Sequence, residues 1–381
     1  MTADVIVLGL GGMGSAAAYH LARRGLSVIG LDQFPLVHSR GSSHGQTRII
    51  RTAYYEHPAY VPLVRRAFHL WRELEELTGQ RLLTACPCLN VGRPDGEVIP
   101  GVRLAAREHA LPIEVLESPE IERRFPAFRI PPGWLGVLEE QAGYLAVEEC
   151  VRAHHRAALD TGRVDLRAEE RVIGWKAVGQ GVEVSTETGT YSAGKLVVTA
   201  GAWASRMLAD LGLPLTVMRQ VMQWFDTGSN PESFRRGRFP IFLVETAGGA
   251  FYGLPSIDAL GLKCARHYGA PELGSPEDID WTIHPEDEAG VRPFLNEYLP
   301  GAGERTRAEV CMYTLTPDRH FLLDTHPDYP QIAIAAGFSG HGFKFAPTVG
   351  EILADLVTTG RTVHPIDRFR LSRIPKKPFD S

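Results

Sequence analysis

The chain has 381 residues, 44% of them hydrophobic and 22% charged, enough for two domains with apolar cores. A formal charge of −5 and a pI near 6.3 speak against nucleic acid or a membrane surface as a partner. No apolar run reaches the roughly 18 residues of a membrane span, and five sparse cysteines suit a reducing compartment, so a cytoplasmic location is expected.

The start, MTADVIVLGLGG, lacks the basic stretch of a signal peptide. Residues 4–8, DVIVL, predict a short buried parallel strand. It runs into Gly9-Leu10-Gly11-Gly12-Met13-Gly14, a G-x-G-x-x-G, then an alanine-rich helix to Arg24 with Gly25 beyond its end. A second strand over 26–31 ends in Asp32. Gly9, Gly11 and Gly14 let backbone approach a pyrophosphate, the helix start favours its charge, and the Asp32 carboxylate accepts from ribose hydroxyls. Asp32 would repel the 2′-phosphate of NADP, while NAD and FAD both stay open at this point. Together these elements predict an α/β, Rossmann-like dinucleotide-binding domain.

Residues 39–51, SRGSSHGQTRIIR, are too long for an ordinary βα connection. Their hydroxyls and glycines, Ser42 and Ser43 among them, suit contacts along an extended cofactor; a solvated basic loop is the alternative. Val64, Ala67, Trp71 and Leu74 recur at helical spacing and predict a helix over 60–78. Residues 86–144 read as irregular and proline-rich. Cys86-Pro-Cys88 has no second pair at zinc spacing. His154 and His155, adjacent on a helix over 147–160, point to different faces, so no metal is expected.

Residues 171–200 read as an antiparallel meander ending in an apolar strand at a glycine turn. Residues 216–268 predict a second, mostly antiparallel sheet. The chain then returns to the first sheet, with a buried strand over 332–338 and a helix over 348–360 that turns Val349, Leu353 and Leu356 inward. The expected dinucleotide-binding domain is discontinuous, comprising 1–85, 145–215 and 312–381. Residues 86–144 and 216–311 form the expected substrate domain.

Only six of the 40 basic residues are lysines. Lys176, Lys376 and Lys377 read as solvated loops or tail. Lys263, in GLKC, is either a strand-edge lysine facing solvent or a buried cation. Lys344, in SGHGFKFAP, either snorkels over Phe343 and Phe345 or presents its ammonium to a ligand.

Three segments, GSSHGQTRIIR (41–51), VCMYTLTPDRHFLLD (310–324) and AAGFSGHGFKF (335–345), resemble the monomeric sarcosine oxidase and N-methyltryptophan oxidase family. These are flavoproteins related in fold to D-amino-acid oxidase, and the likeness runs from Gly9 to Gly360. It implies a monomeric FAD oxidase that removes an N-methyl group from a secondary amino acid. Dioxygen would be the acceptor, and an aldehyde, the amino acid and hydrogen peroxide the products. A flavin dehydrogenase passing electrons to a quinone or carrier protein is the alternative.

The resemblance also implies a thioether between Cys311 and the flavin 8α-methyl carbon; without it, Cys311 would read as a core thiol. Arg51 and Lys344 become a clamp for the substrate carboxylate. Lys263 becomes the cation that promotes reaction with oxygen, and Arg48 a charge against the flavin face. His44, Tyr252, His267 and Tyr313 are implied to line the substrate pocket, with Gly340 near the carboxylate. Leu243 stands where the sarcosine enzymes are expected to carry methionine. Arg48, Lys263 and His267, if charged, would favour the neutral form of the bound amine.

Overall fold

The computed structural model describes residues 2–374. Strand Thr2–Leu8 lies at the centre of the first sheet, parallel to Val28–Leu31 on one side and to Thr190–Val198 on the other. Val164–Arg167 extends the sheet beyond Val28–Leu31, and Ile332–Ala336 pairs with the last residues of Thr190–Val198. The first residues of that same long strand pair with Gly181–Thr186, and it in turn with Val172–Val178, as the meander predicts.

Alternation along Thr2–Leu8 sends side chains to two cores. Val5 and Val7 face a layer formed by helices Gly12–Arg23, Tyr60–Thr78, Val147–Leu159 and Ala346–Thr359. Ile6 and Leu8 face Val182, Val184, Met207 and Leu211 on the opposite side. Ala16, Ala17 and Ala18 are fully buried, and their small side chains let the first helix sit close to its neighbours.

The second sheet runs Arg305–Leu315, Thr216–Phe225, Leu262–Arg266, Gly249–Leu254, Ile241–Thr246, Cys88–Gly92, Leu135–Glu139, Glu114–Glu117. Its pairs are antiparallel except Ile241–Thr246 with Cys88–Gly92. The segment 86–144, expected to be irregular, therefore supplies three strands, together with helices Val98–His109 and Ser118–Arg124. Its prolines misled because Pro100 and Pro119 sit in first helical turns, where a missing N–H costs nothing.

The loop 39–51 ends in a strand, Thr47–Ile50, which pairs with Gly143–Ala146; that strand also pairs with Leu83–Ala85. Lys176 is exposed but lies on a strand and pairs with Glu183. Lys376 and Lys377 lie outside the described residues.

Candidate active site

A cleft opens at the carboxyl ends of the parallel strands, where Leu8, Asp32, Thr199 and Gly337 meet. Its lining runs from the glycine turn at Gly9 and Gly11 past Asp32 and Cys311 to Lys344, an extended wall in keeping with a dinucleotide. One end is bounded by Asp32, Glu170 and Arg171, the other by Arg51, Tyr252, His267 and Lys344.

The glycine turn is packed as the motif requires. A Cβ on Gly14 would fall 1.7 Å from the Gly9 carbonyl oxygen. Asp32 accepts from the Leu10 N–H at 2.7 Å and the Phe34 N–H at 3.0 Å, so it also braces the turn. Ser43 Oγ accepts from the Gly12 N–H at 3.1 Å, and Ser42 Oγ donates to the Met312 carbonyl at 2.6 Å. The loop is therefore folded between the glycine turn and the Cys311 strand, and is not a solvated excursion. Small residues at the turn, an acid-tipped strand and a broad wall ending at Cys311 fit FAD.

Cys311 pairs with Gln220 across the second sheet. Arg48 Nη2 lies 3.6 Å from its sulfur while donating to the Ser42 carbonyl at 2.8 Å. Burial opposes ionisation of this thiol, but the His44 ring and Arg48 outweigh it and draw Cys311 below its ordinary value. Burial pushes Cys86 up to about 11 and Cys88 up to about 12, and raises Cys150 and Cys264 too. Cys311 alone of the five is prepared to act as a thiolate. His44, anchored to Glu309 at 3.4 Å, works on that thiol and is not on the cleft wall.

At the far end the two implied clamp residues are both buried and share one ring. Arg51 Cζ lies 4.4 Å and Lys344 Nζ 5.0 Å from the Tyr54 ring centroid. The Arg51 fork is filled by Glu56, with contacts of 3.0 and 2.9 Å, and its other arm donates to the Ala53 carbonyl at 2.8 Å. Lys344 donates to the Tyr54 hydroxyl at 3.0 Å and to the His341 carbonyl at 2.7 Å. An ammonium has three N–H donors, so one is left over on a side chain that lines the cleft. Burial, then Arg51, lowers Lys344 to about 7.

The backbone of Lys344 is fixed from both sides. Trp71 Nε1 donates to its carbonyl at 2.9 Å. The preceding turn passes through Gly340 at φ +82°, where a Cβ would lie 2.3 Å from the Tyr313 ring. Tyr313 meets His267 Nδ1 at 3.3 Å, and the His267 ring stands edge-on to Tyr252 with centroids 5.9 Å apart. Tyr252, His267, Tyr313, Gly340 and Leu243 all line the cleft. Of the groups that could carry charge here, His267 does not: burial lowers it to about 3, leaving it neutral at ordinary pH.

Lys263 is buried, so the solvent-facing alternative falls. Its Nζ donates to the Gly45 carbonyl at 2.5 Å, and lies 3.2 Å from the Thr47 carbonyl and 3.3 Å from its hydroxyl. It also sits 4.8 Å over the Trp224 ring. It stands behind Thr47, which lines the cleft, and does not line it itself. Burial, then Arg48, drives it well below its ordinary value.

Sequence reading missed Glu56, Tyr54 and His341 as members of this site. All three lie within or beside the quoted motifs; Glu56 meets Arg51 and His341 meets Lys344 locally, but Tyr54 reaches Lys344 only through a fold contact across 290 residues. Among the described residues no cluster of His, Cys, Asp or Glu is arranged to hold a metal, and no helix is long and apolar enough to cross a membrane.

A family model described as FAD dependent oxidoreductase matches residues 4–356. The chain is 44% identical to a monomeric sarcosine oxidase from Streptomyces avermitilis, covering 99% of each chain. It is 37% identical to an N-methyl-L-tryptophan oxidase from Yersinia pestis, over 98% of this chain and 100% of the relative. Among solved structures, NikD, an unusual amino acid oxidase essential for nikkomycin biosynthesis, superposes with a TM-score of 0.86 at 26% identity over 97% of each chain.

Proposed function

The chain belongs to the FAD-dependent oxidoreductase family, and on that premise we propose that it oxidises a secondary, N-methyl-type amino acid with dioxygen. Two electrons and a proton leave the substrate to give an iminium and end on dioxygen as hydrogen peroxide; water then hydrolyses the iminium to the aldehyde and the demethylated amino acid. The observation that carries this reading is the pair of buried cations, Arg51 and Lys344, lining the same cleft as Cys311. Two desolvated cations there suit the acid group of a small zwitterion.

FAD bound in this cleft would supply a two-electron acceptor for the hydrogen on the carbon next to the substrate nitrogen and a route for those electrons to dioxygen. The chain supplies the rest. Gly9, Gly11, Ser43 and Asp32 would hold the nucleotide half, in a domain drawn from 2–85, 145–215 and 316–374. Segments 86–144 and 216–315 form the substrate side, strand Arg305–Leu315 running in the second sheet. Cys311 carries the flavin through sulfur, since it alone has a neighbourhood that favours thiolate.

The substrate carboxylate takes the place of Glu56 at the Arg51 fork and meets the spare donor of Lys344. Tyr252, Tyr313, His267, Gly340 and Leu243 shape the space around its nitrogen. Arg48 favours the neutral amine, whose lone pair must stabilise the forming iminium. The reductive step therefore rises with pH to a plateau, as the bound ammonium loses its proton. Lys263 provides positive charge behind Thr47 for the oxygen step. The protein acts as a cytoplasmic monomer.

The test is a panel of N-methyl and cyclic secondary amino acids, read by flavin bleaching without air and peroxide release in air. Bleaching without peroxide would assign a dehydrogenase. In Cys311→Ser the yellow colour should leave the denatured polypeptide, whereas in wild type it should stay; pigment retained by the variant would remove the sulfur link.

A further inference from the structure

We propose that Tyr54 and His341 are positioning residues that hold Lys344 as a donor toward the cleft, an inference that rests on the reading of Lys344 as a carboxylate ligand. The direction of each hydrogen bond follows from chemistry. His341 Nε2 lies 3.1 Å from the Arg319 carbonyl oxygen, which can only accept, so Nε2 carries the proton. Burial lowers His341 well below its ordinary value, so the ring is neutral and Nδ1 is bare. Tyr54 Oη lies 2.8 Å from that Nδ1 and must donate to it.

The hydroxyl is thereby left with only lone pairs for Lys344, whose Nζ is 3.0 Å away. The second acceptor of Lys344, at 2.7 Å, is the backbone carbonyl of the same His341. One imidazole, itself tied to Arg319, thus orients the hydroxyl that accepts from the ammonium, while the backbone of the same residue supplies the other acceptor. Without it the Tyr54 hydroxyl could rotate its proton toward Lys344 or toward the His341 carbonyl, 3.2 Å away.

The sign of the effect follows from the surroundings of Lys344. Burial and then Arg51 disfavour its charge, Glu56 and Cys88 favour it, and Arg48 opposes it from further off. His267 and His341 are neutral, and Tyr54 stays protonated because burial raises it. The charge on Lys344 is present at low pH and lost as pH rises through its own value. Binding of a carboxylate should weaken over the same rise. Removing the Tyr54 hydroxyl takes an acceptor from the charged form, so the weakening should begin at lower pH.

The experiment uses the holoenzyme and methoxyacetate, a carboxylate without an amine, with methoxyacetamide as its uncharged twin. Binding is followed through the flavin absorbance across neutral to alkaline pH. In Tyr54→Phe and His341→Leu the alkaline fall should move down by about one pH unit, equivalent to tenfold in the ionisation constant. His341→Asn, whose side-chain oxygen can stand where Nδ1 does, should return it close to wild type. Wild-type pH dependence in Tyr54→Phe, the variant least able to disturb folding, would overturn the proposal. A Lys344→Met protein that binds methoxyacetate as tightly as wild type would instead overturn the underlying reading of Lys344.

Discussion

The surroundings of Lys263 and of Lys344 are two solutions to one problem. Both ammonium groups are buried, and an unpaired charge there would cost several kcal/mol. Lys263 reaches three oxygens on the 45–47 segment, as many as it has donors, and stands behind the cleft wall. Lys344 reaches two and keeps a third donor on the wall itself. The first is a saturated donor set that ties down a loop. The second is an incomplete coordination shell, which a ligand can complete. Burial alone does not separate them; counting donors against acceptors does.

Substituting both lysines is the sharpest way to test that contrast. Lys263→Met should slow the oxygen step by roughly 10²–10³-fold, the scale of losing a preplaced electrostatic group, while substrate affinity barely moves. Stopped-flow reoxidation against steady-state KM separates the two. Lys344→Met should do the reverse, raising KM for the acid substrate by about 10- to 100-fold, as expected for a lost charge-assisted hydrogen bond. Equal effects of the two variants on both steps would dissolve the comparison.

Smaller changes refine it. Glu56→Gln should tighten carboxylate binding by about fivefold, because a neutral amide competes less well than a carboxylate for the Arg51 fork. Isothermal binding of methoxyacetate would show this; weaker binding would mean that Glu56 assists the ligand. Trp71→Phe keeps an aromatic ring but loses the hydrogen bond to the Lys344 carbonyl. It should lower stability by about 1 kcal/mol in denaturant unfolding and leave KM nearly unchanged.

What could be read from the sequence follows the same division. The glycine turn, its helix and Asp32 are contiguous, so thirty residues specify them. The helices at 60–78 and 348–360 were legible because one apolar face repeats every turn. The strands within 86–144 were hidden because their partners, such as Ile241–Thr246, lie far along the chain. Arg51 was recognisable as a cation from its motif, but its partner Glu56 was not, since the four residues between them follow no regular period. Whether His267 carries charge stayed open in the sequence, because the burial that neutralises it comes from distant parts of the chain.

The most direct test of the account compares flavin bleaching, without air, by an N-methyl amino acid and by its amide. The two carry the same oxidisable carbon and differ only in the acid group. A cleft that uses Arg51 and Lys344 to orient its substrate predicts that the acid bleaches at least tenfold more efficiently in kcat/KM, about 1.4 kcal/mol. Equal efficiency for acid and amide would contradict it.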